Sequence, residues 1–495
     1  MKRNTHTLKF MGPAHLKFGG GVSESIFNPL VLAVVLVAGI LICVWPRHKA
    51  LAAFLAAAIL IPVDQVLLLG GMHFPMLRVL LLFGFVRMLK EKFYSKRRVF
   101  SGGMNKIDAA VILLSLVTAI NAVLLFPEMA SAINQAGILF TVFGIYFLLR
   151  SLIREEQDIT HAIRTLAGIA AIVAAIMTYE FATGHNPYAL LGGARASFYA
   201  NLVQRDDRFR AQAGFSHSLL AGTFGAVLMP LFLALWWKGK EHRAIVALGI
   251  VSSTLIMLTA NGSTPVLAYA AGVLGLCLWP LRDRMRAIRW SIVGTLVALH
   301  LVMKAPVWHL ISRIDISGGS SGYHRYMLID QCIRHFGDWW LIGVKDTSVW
   351  GWDMWDTANQ YVGLCDGSGL LPFLLFLAIL VYGFRFLGKA RRRFQKDHRA
   401  ALFVWAIGAA LFANVVAFFG ISYWDQTQVV WYGLLAMIST AALCPKKDAQ
   451  SAPIPNLAET DRALGASEQF APELWKGNEP PAELVTWLRN RTTRL

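Results

Sequence analysis

Residues 367–388 read GSGLLPFLLFLAILVYGFRFLG, and residues 389–399 read KARRRFQKDHR. The first stretch carries one charge, Arg385. It is long enough to cross a hydrocarbon core about 30 Å thick, because a helix rises about 1.5 Å per residue. The second stretch is a cluster of cations that stays in water. An apolar helix that ends in a basic run is what a transmembrane segment looks like where it emerges into the cytoplasm.

The pattern recurs along the chain. A hydrophobic fraction of 56% with 15% charged residues lies outside the range of a soluble domain of this length. Apolar spans are expected near 28–46, 51–69, 75–89, 107–126, 132–150, 162–183, 214–237, 244–260, 264–281, 288–303, 367–388, 401–420 and 427–444. The expected fold class is all-α, a polytopic transmembrane helical bundle of about 12–13 spans with one large, partly helical periplasmic loop. No fixed-period repeat is visible, which favours one continuous bundle.

The formal net charge of +18 does not point to nucleic acid. Basic residues crowd Arg87–Arg98, Arg282–Arg289 and Lys389–Arg399, and alternating spans put all three on one side, the cytoplasm by the positive-inside rule. No nucleic-acid module is recognisable. The expected organisation is an N-terminal tail (1–27), a membrane domain (28–444) with external loops 184–213 and 304–366, and a cytoplasmic tail (445–495) punctuated by prolines. In that tail Leu484, Trp487, Leu488 and Arg491 sit at helical spacing. An odd number of spans puts the N-terminus outside, against the cytoplasmic preference of Lys2, Arg3, Lys9 and Lys17. The opening residues lack the plan of a cleavable signal.

Two polar segments interrupt the apolar chain on the external side. Around Arg210, the sequence RFRAQAGFSH (208–217) leads directly into a span. An arginine fork there suits two phosphate oxygens better than an ammonium does, and His217 stands beside it. The second segment carries His324 and Arg325, then Asp330, Arg334, His335 and Asp338. Arg334 and Asp338 are four apart and expected to pair on a helix. His324 is a candidate general base toward a sugar hydroxyl. An amphipathic helix is expected over Tyr326–Gly337, and aromatics such as Trp340, Trp350, Trp352 and Trp355 fit an interfacial belt or a sugar platform. Cys332 and Cys365 lie in this loop, where an oxidising compartment permits a bridge. Cys43, Cys277 and Cys444 read as packing residues.

Beyond these segments come Gly343, then Ala358, Asn359, Gln360, Tyr361, and Gly369 with Leu370. Three elements stand in order: Arg210 shortly before Gly214 and Phe215, Arg325 opening a large external loop, and Gly343 followed by Asn359 and Tyr361 ahead of Gly369 and Leu370. Across roughly residues 75–440 the chain resembles the O-antigen ligase and O-antigen polymerase superfamily of bacterial envelope glycosyltransferases. The resemblance implies metal-independent transfer of a glycan from undecaprenyl diphosphate to an acceptor hydroxyl on a glycan, lipid or protein. The reaction would take place at the periplasmic face of the inner membrane and need no cofactor. It implies diphosphate contacts from the arginines, here Arg210 and Arg325; beside them, His217, Asn359 and Tyr361 are the expected substrate-site residues and His324 the expected base. Ligases of this type commonly carry a histidine directly before the asparagine. Ala358 stands there, which shifts the expectation toward a polymerase or divergent member and leaves Asp356 and Asp366 as further candidate bases. The alternative is a lipid-linked-sugar flippase, whose polar groups line a path through the bundle. Asp64 and Asn414 are the evident intramembrane polar residues.

Overall fold

The structure is a computed structural model in which residues 25–63, 65–69, 72–94, 99–192, 203–205, 207–313 and 321–443 are described. The expectations for Lys2–Lys17, Asp64, Cys444 and the tail helix near Leu484 lie outside the described residues. The described chain is mostly helical, with two short two-stranded sheets. Its helices are α1 (Pro29–Val44), α2 (Arg47–Leu60), α3 (Met76–Tyr94), α4 (Lys106–Leu125), α5 (Met129–Leu152), α6 (Glu156–Thr183), α7 (Ser218–Ala234), α8 (Arg243–Thr259), α9 (Ser263–Cys277), α10 (Met285–Val302), α11 (Ser321–Arg334), α12 (Gln360–Ser368), α13 (Leu370–Arg393), α14 (His398–Ala417) and α15 (Gln426–Ala441). Among the described residues, eight helices are long and apolar enough to cross a membrane: α4, α5, α6, α7, α8, α10, α13 and α14, with α7 and α8 counted together with the short 3-10 turns beside them. Helices α1 and α9 are apolar but shorter. The fold is an all-α polytopic bundle.

One expected span is corrected. The apolar stretch 51–69 is not one helix: α2 stops at Leu60, and Val66–Leu69 is a strand paired antiparallel with Met72–Pro75. Pro62 explains the break, since it disfavours helical geometry at Ile61, whose backbone is extended. The helix expected over Tyr326–Gly337 begins earlier, at Ser321, and ends at Arg334.

Helix starts follow local chemistry. Asn105 caps α4 by accepting from the backbone N–H groups of Ile107 (2.8 Å) and Asp108 (3.1 Å), and Asp108 Oδ2 accepts from Asn105 N–H (2.8 Å). Asp397 caps α14 in a similar way.

Helix α7 is the most enclosed of the long helices, and it packs against α8, α9 and α14. Its glycines make this possible. A Cβ on Gly222 would sit 2.5 Å from both Ala260 Cβ and Pro265 Cγ, and one on Gly225 would sit 2.7 Å from Ile256 Cγ2. Lipid tails are as apolar as leucine, so helices in a bilayer gain little from the hydrophobic effect and depend on this close approach. Helix α10 has no buried residue and stands apart from the packed helices.

The two ends of the bundle differ in chemistry. At one end ion pairs tie the helix turns together: Arg47 to Glu155 (3.0 Å) and Asp158 (3.1 Å), Arg87 to Glu91 (3.0 Å), Arg154 to Glu91, Lys238 to Glu156, and Arg391 to Asp283 (3.0 Å). Arg150 meets Asp108 at 3.2 Å with both side chains at or below 1% exposure, and Tyr146 donates to the same carboxylate. Removing one member of such a buried pair costs about 3–5 kcal/mol because the other charge is stranded. This basic end contains the three arginine- and lysine-rich turns that the sequence assigns to the cytoplasm.

Gly225→Ala is expected to destabilise the bundle by about 1–3 kcal/mol through overpacking against Ile256. Gly168→Ala, whose Cβ would meet nothing within 4 Å, is expected to be neutral or to stabilise α6 by up to about 1 kcal/mol. Unfolding of the two variants in detergent micelles measures the contrast, and equal effects would remove α7 as the packing axis.

Candidate functional site at the opposite end of the bundle

The opposite end gathers polar groups from segments far apart in sequence. Helix α9 starts here with the turn Asn261–Gly262, and its cap Gly262 supplies no side-chain hydrogen bond. The first α9 residues, Ser263 and Thr264, are buried. Arg325 on α11, 7% exposed, donates from Nη1 to Ser263 Oγ (3.2 Å) and from Nη2 to Thr264 Oγ1 (2.8 Å). Arg210 reaches the same turn: its Nη2 lies 3.6 Å from where a Gly262 Cβ would be. Two guanidinium groups therefore converge on one helix N-terminus.

A helix N-terminus carries a partial positive charge, so cations are ordinarily disfavoured there. The arrangement is repeated next door. His217 is the N-cap of α7, with Nδ1 accepting from Leu219 N–H (3.0 Å). Burial pushes its pKa down to about 4, and the Arg210 charge pushes the same way. The ring is neutral at neutral pH, with its proton on Nε2. Two guanidinium groups and two helix N-termini meet at one rim, a combination of donors and partial positive charge that can hold an anion.

The Arg210 segment is held by groups that the sequence reading did not single out. Glu180, fully buried at the end of α6, accepts from Gln212 N–H (2.7 Å) and Ala213 N–H (3.1 Å) through Oε2. Ala213 takes a left-handed backbone (φ 50°), a conformation costly for a residue with a Cβ. Gln426 donates to Gly214 O (2.8 Å) and Asn186 to Ala213 O (2.9 Å). Asp425, also left-handed (φ 59°), caps α15 and accepts from Ser216 N–H (3.1 Å) and the Ser216 hydroxyl. It is a carboxylate at the same rim as the arginines. Thr264 Oγ1 donates to Gly420 O (3.2 Å), joining the Ile421–Gln426 segment to the α9 turn. The Asn-Gly-Ser-Thr-Pro run at 261–265 and the Asp-Gln-Thr run at 425–427 are helix-start signals that mark these positions in the sequence.

The remaining sequence candidates are placed as follows. Asn359 is fully buried as the N-cap of α12: Oδ1 accepts from Tyr361 N–H (2.9 Å) and Val362 N–H (3.2 Å), and Nδ2 donates to Phe419 O (3.3 Å). Tyr361 donates to Val415 O (2.9 Å) within a cluster of Phe376, Phe418 and Phe419. Both side chains bond the chain itself and set the loop beside the α9 turn. His324 follows the same helix as Arg325 but meets another segment. Its Nε2 lies 2.9 Å from Asp353 O and 3.8 Å from Asp353 Oδ2. Burial pushes the neighbouring Asp356 carboxyl up, while His324 pulls it down. Asp366 lies two turns along α12 from Asn359, where burial pushes its carboxyl up to about 7 against the pull of the Gly367 and Asp366 backbone N–H groups. The expected pair of Arg334 with Asp338 is not the one formed. Arg334 Nε meets Asp330 Oδ2 at 2.6 Å, because the helix ends at Arg334 and the preceding turn offers the acid in helical register.

No group of three or more His, Cys, Asp or Glu side chains suited to a metal ion occurs among the described residues. No family model matches the chain, and no curated protein matches it.

His217 generates a pH prediction. Its folded pKa, about 4, lies below its ordinary value of 6.5, so its contribution to stability is complete above about pH 6.5 and is lost as pH falls through about 4. Thermal midpoints in detergent are expected to fall across that window, and His217→Asn, which keeps a capping side chain without a titration, is expected to flatten the slope. An unchanged slope in the variant would contradict the assignment.

Proposed function

We propose that the chain is a membrane glycosyltransferase that moves a glycan from a polyprenyl diphosphate carrier to an acceptor hydroxyl, as an O-antigen polymerase or ligase does, at the bundle end opposite the basic turns. The observation that carries this reading is the convergence of Arg210 and Arg325 on the N-terminus of α9. In this reading the rim holds the lipid-borne diphosphate. The bond between the anomeric carbon and the phosphate oxygen breaks, the electron pair leaves on the diphosphate, and the arginine forks stabilise the charge that develops. The acceptor oxygen forms the new glycosidic bond and gives up its proton. His324 is the base: its Nε2–H donates to the Asp353 carbonyl, which fixes the tautomer and leaves Nδ1 as the proton acceptor. By the positive-inside rule the rim faces the periplasm of an inner-membrane protein.

Placement of polar groups supports transfer over flipping. Asn414, a polar residue within an apolar helix, is satisfied locally, donating to Ala410 O (2.8 Å) and accepting from Tyr423 OH (2.9 Å).

Purified protein supplied with undecaprenyl-diphosphate-linked oligosaccharide is expected to yield longer lipid-linked products, or transfer that needs an added acceptor. Arg210→Ala and Arg325→Ala should each lower kcat by about 10²–10³-fold, and His324→Gln by about 10²–10⁴-fold. Undiminished product from both arginine variants at equal membrane abundance would sink the reading. Movement of the lipid between leaflets without glycosidic bond formation would replace it with transport.

A further inference from the structure

Two cysteines at this end of the bundle have no part in the proposed chemistry. Cys332, near the end of α11, and Cys365, in α12, are each 5% exposed and belong to one apolar cluster with Leu328, Trp339, Trp350 and Met354. Both are free thiols here, buried among the same side chains on two helices that pack against one another. We propose that Cys332 and Cys365 form a structural disulfide that staples α11, which carries Arg325, to α12, which is capped by Asn359. The inference rests on the reading that this end of the bundle lies outside the cytoplasm, where disulfides form and persist.

The step loses one proton and one electron from each thiol. A compartmental thiol–disulfide oxidoreductase accepts the electrons, its own disulfide being reduced to a dithiol. Bond formation precedes final packing. In the folded dithiol, the Cys332 side chain and then burial push the Cys365 thiol well above the usual range, so no thiolate is at hand to begin exchange. Once formed, the bond is shielded by the tryptophans around it. It closes the segment between the cysteines, which contains the Asp353 carbonyl that holds His324. Arg325, His324 and the Asn359 cap then sit on one covalently linked unit, so the staple preorganises the rim.

The test uses full-length protein in native membranes, denatured in N-ethylmaleimide, digested and weighed with and without reductant. The expected result is a linked peptide pair containing Cys332 and Cys365, lighter than the sum by two hydrogens and alkylated only after reduction. Alkylation of both thiols without reductant overturns the proposal, as does a link from either cysteine to another partner. Thermal midpoints supply a second readout: Cys332→Ala, Cys365→Ala and the double variant should fall by the same amount, on the order of a few °C, and Cys277→Ala should not. Additive falls from the two single variants would mean independent packing roles and no bond. Because peptide mass reads the bond without reference to glycosyl transfer, a linked pair in a protein that transfers no glycan leaves the staple standing and removes only the functional reading.

Discussion

The meeting of two guanidinium groups at one helix N-terminus is the constraint around which this end of the bundle is built. Two guanidinium groups approach a helix N-terminus whose own dipole is positive, a placement that helix electrostatics alone disfavours. It is tolerated because the surrounding segments are over-determined. Glu180 grips two successive backbone N–H groups beside Arg210, Asp425 grips Ser216, and the α9 hydroxyls hold Arg325 in place. Left-handed Ala213 and Asp425 add backbone strain at the same place. Strain of this kind persists only where the surrounding contacts over-determine the backbone.

The rest of the bundle supplies the rigidity that this arrangement needs. Glycines on α7 let α8 and α9 approach closely enough that the turns bearing Ala211 and Thr259 hydrogen-bond to one another (3.1 Å). At the other end, salt bridges join helix turns rather than lining a path. Arg150, Asp108 and Tyr146 form a buried polar cluster that fixes α4 against α5. Division of labour between the ends follows from the medium: charge is inexpensive in the interfacial layers and costly in between.

Much of this was legible in the sequence. Apolar runs located the helices to within a few residues at most positions, because length and composition are enough to define a bilayer span. The run at 51–69 failed where Pro62 broke a continuous apolar stretch, a case in which hydropathy registers burial but not backbone geometry. Arg210 stood out as a cation leading into a span, and Arg325 as a cation in the long polar segment. Glu180 and Asp425 did not, since a single carboxylate near a helix end looks like an ordinary surface residue until its backbone partners are seen. Asn359 and Tyr361 carried motif-like spacing, yet the structure commits their polar atoms to a helix cap and a carbonyl.

From the sequence alone came the membrane class, most of the helix inventory and the basic side, all of which depend on local composition and its period. Tertiary structure alone decided that residues 210, 262 and 325 meet, that His324 turns to Asp353 while its neighbour Arg325 turns to α9, and that Arg334 pairs backward along its helix. The physical reason is that such contacts depend on how helices cross and where their turns end. In a bilayer this is governed by side-chain volume at a few close approaches, and single-chain hydropathy carries no record of it.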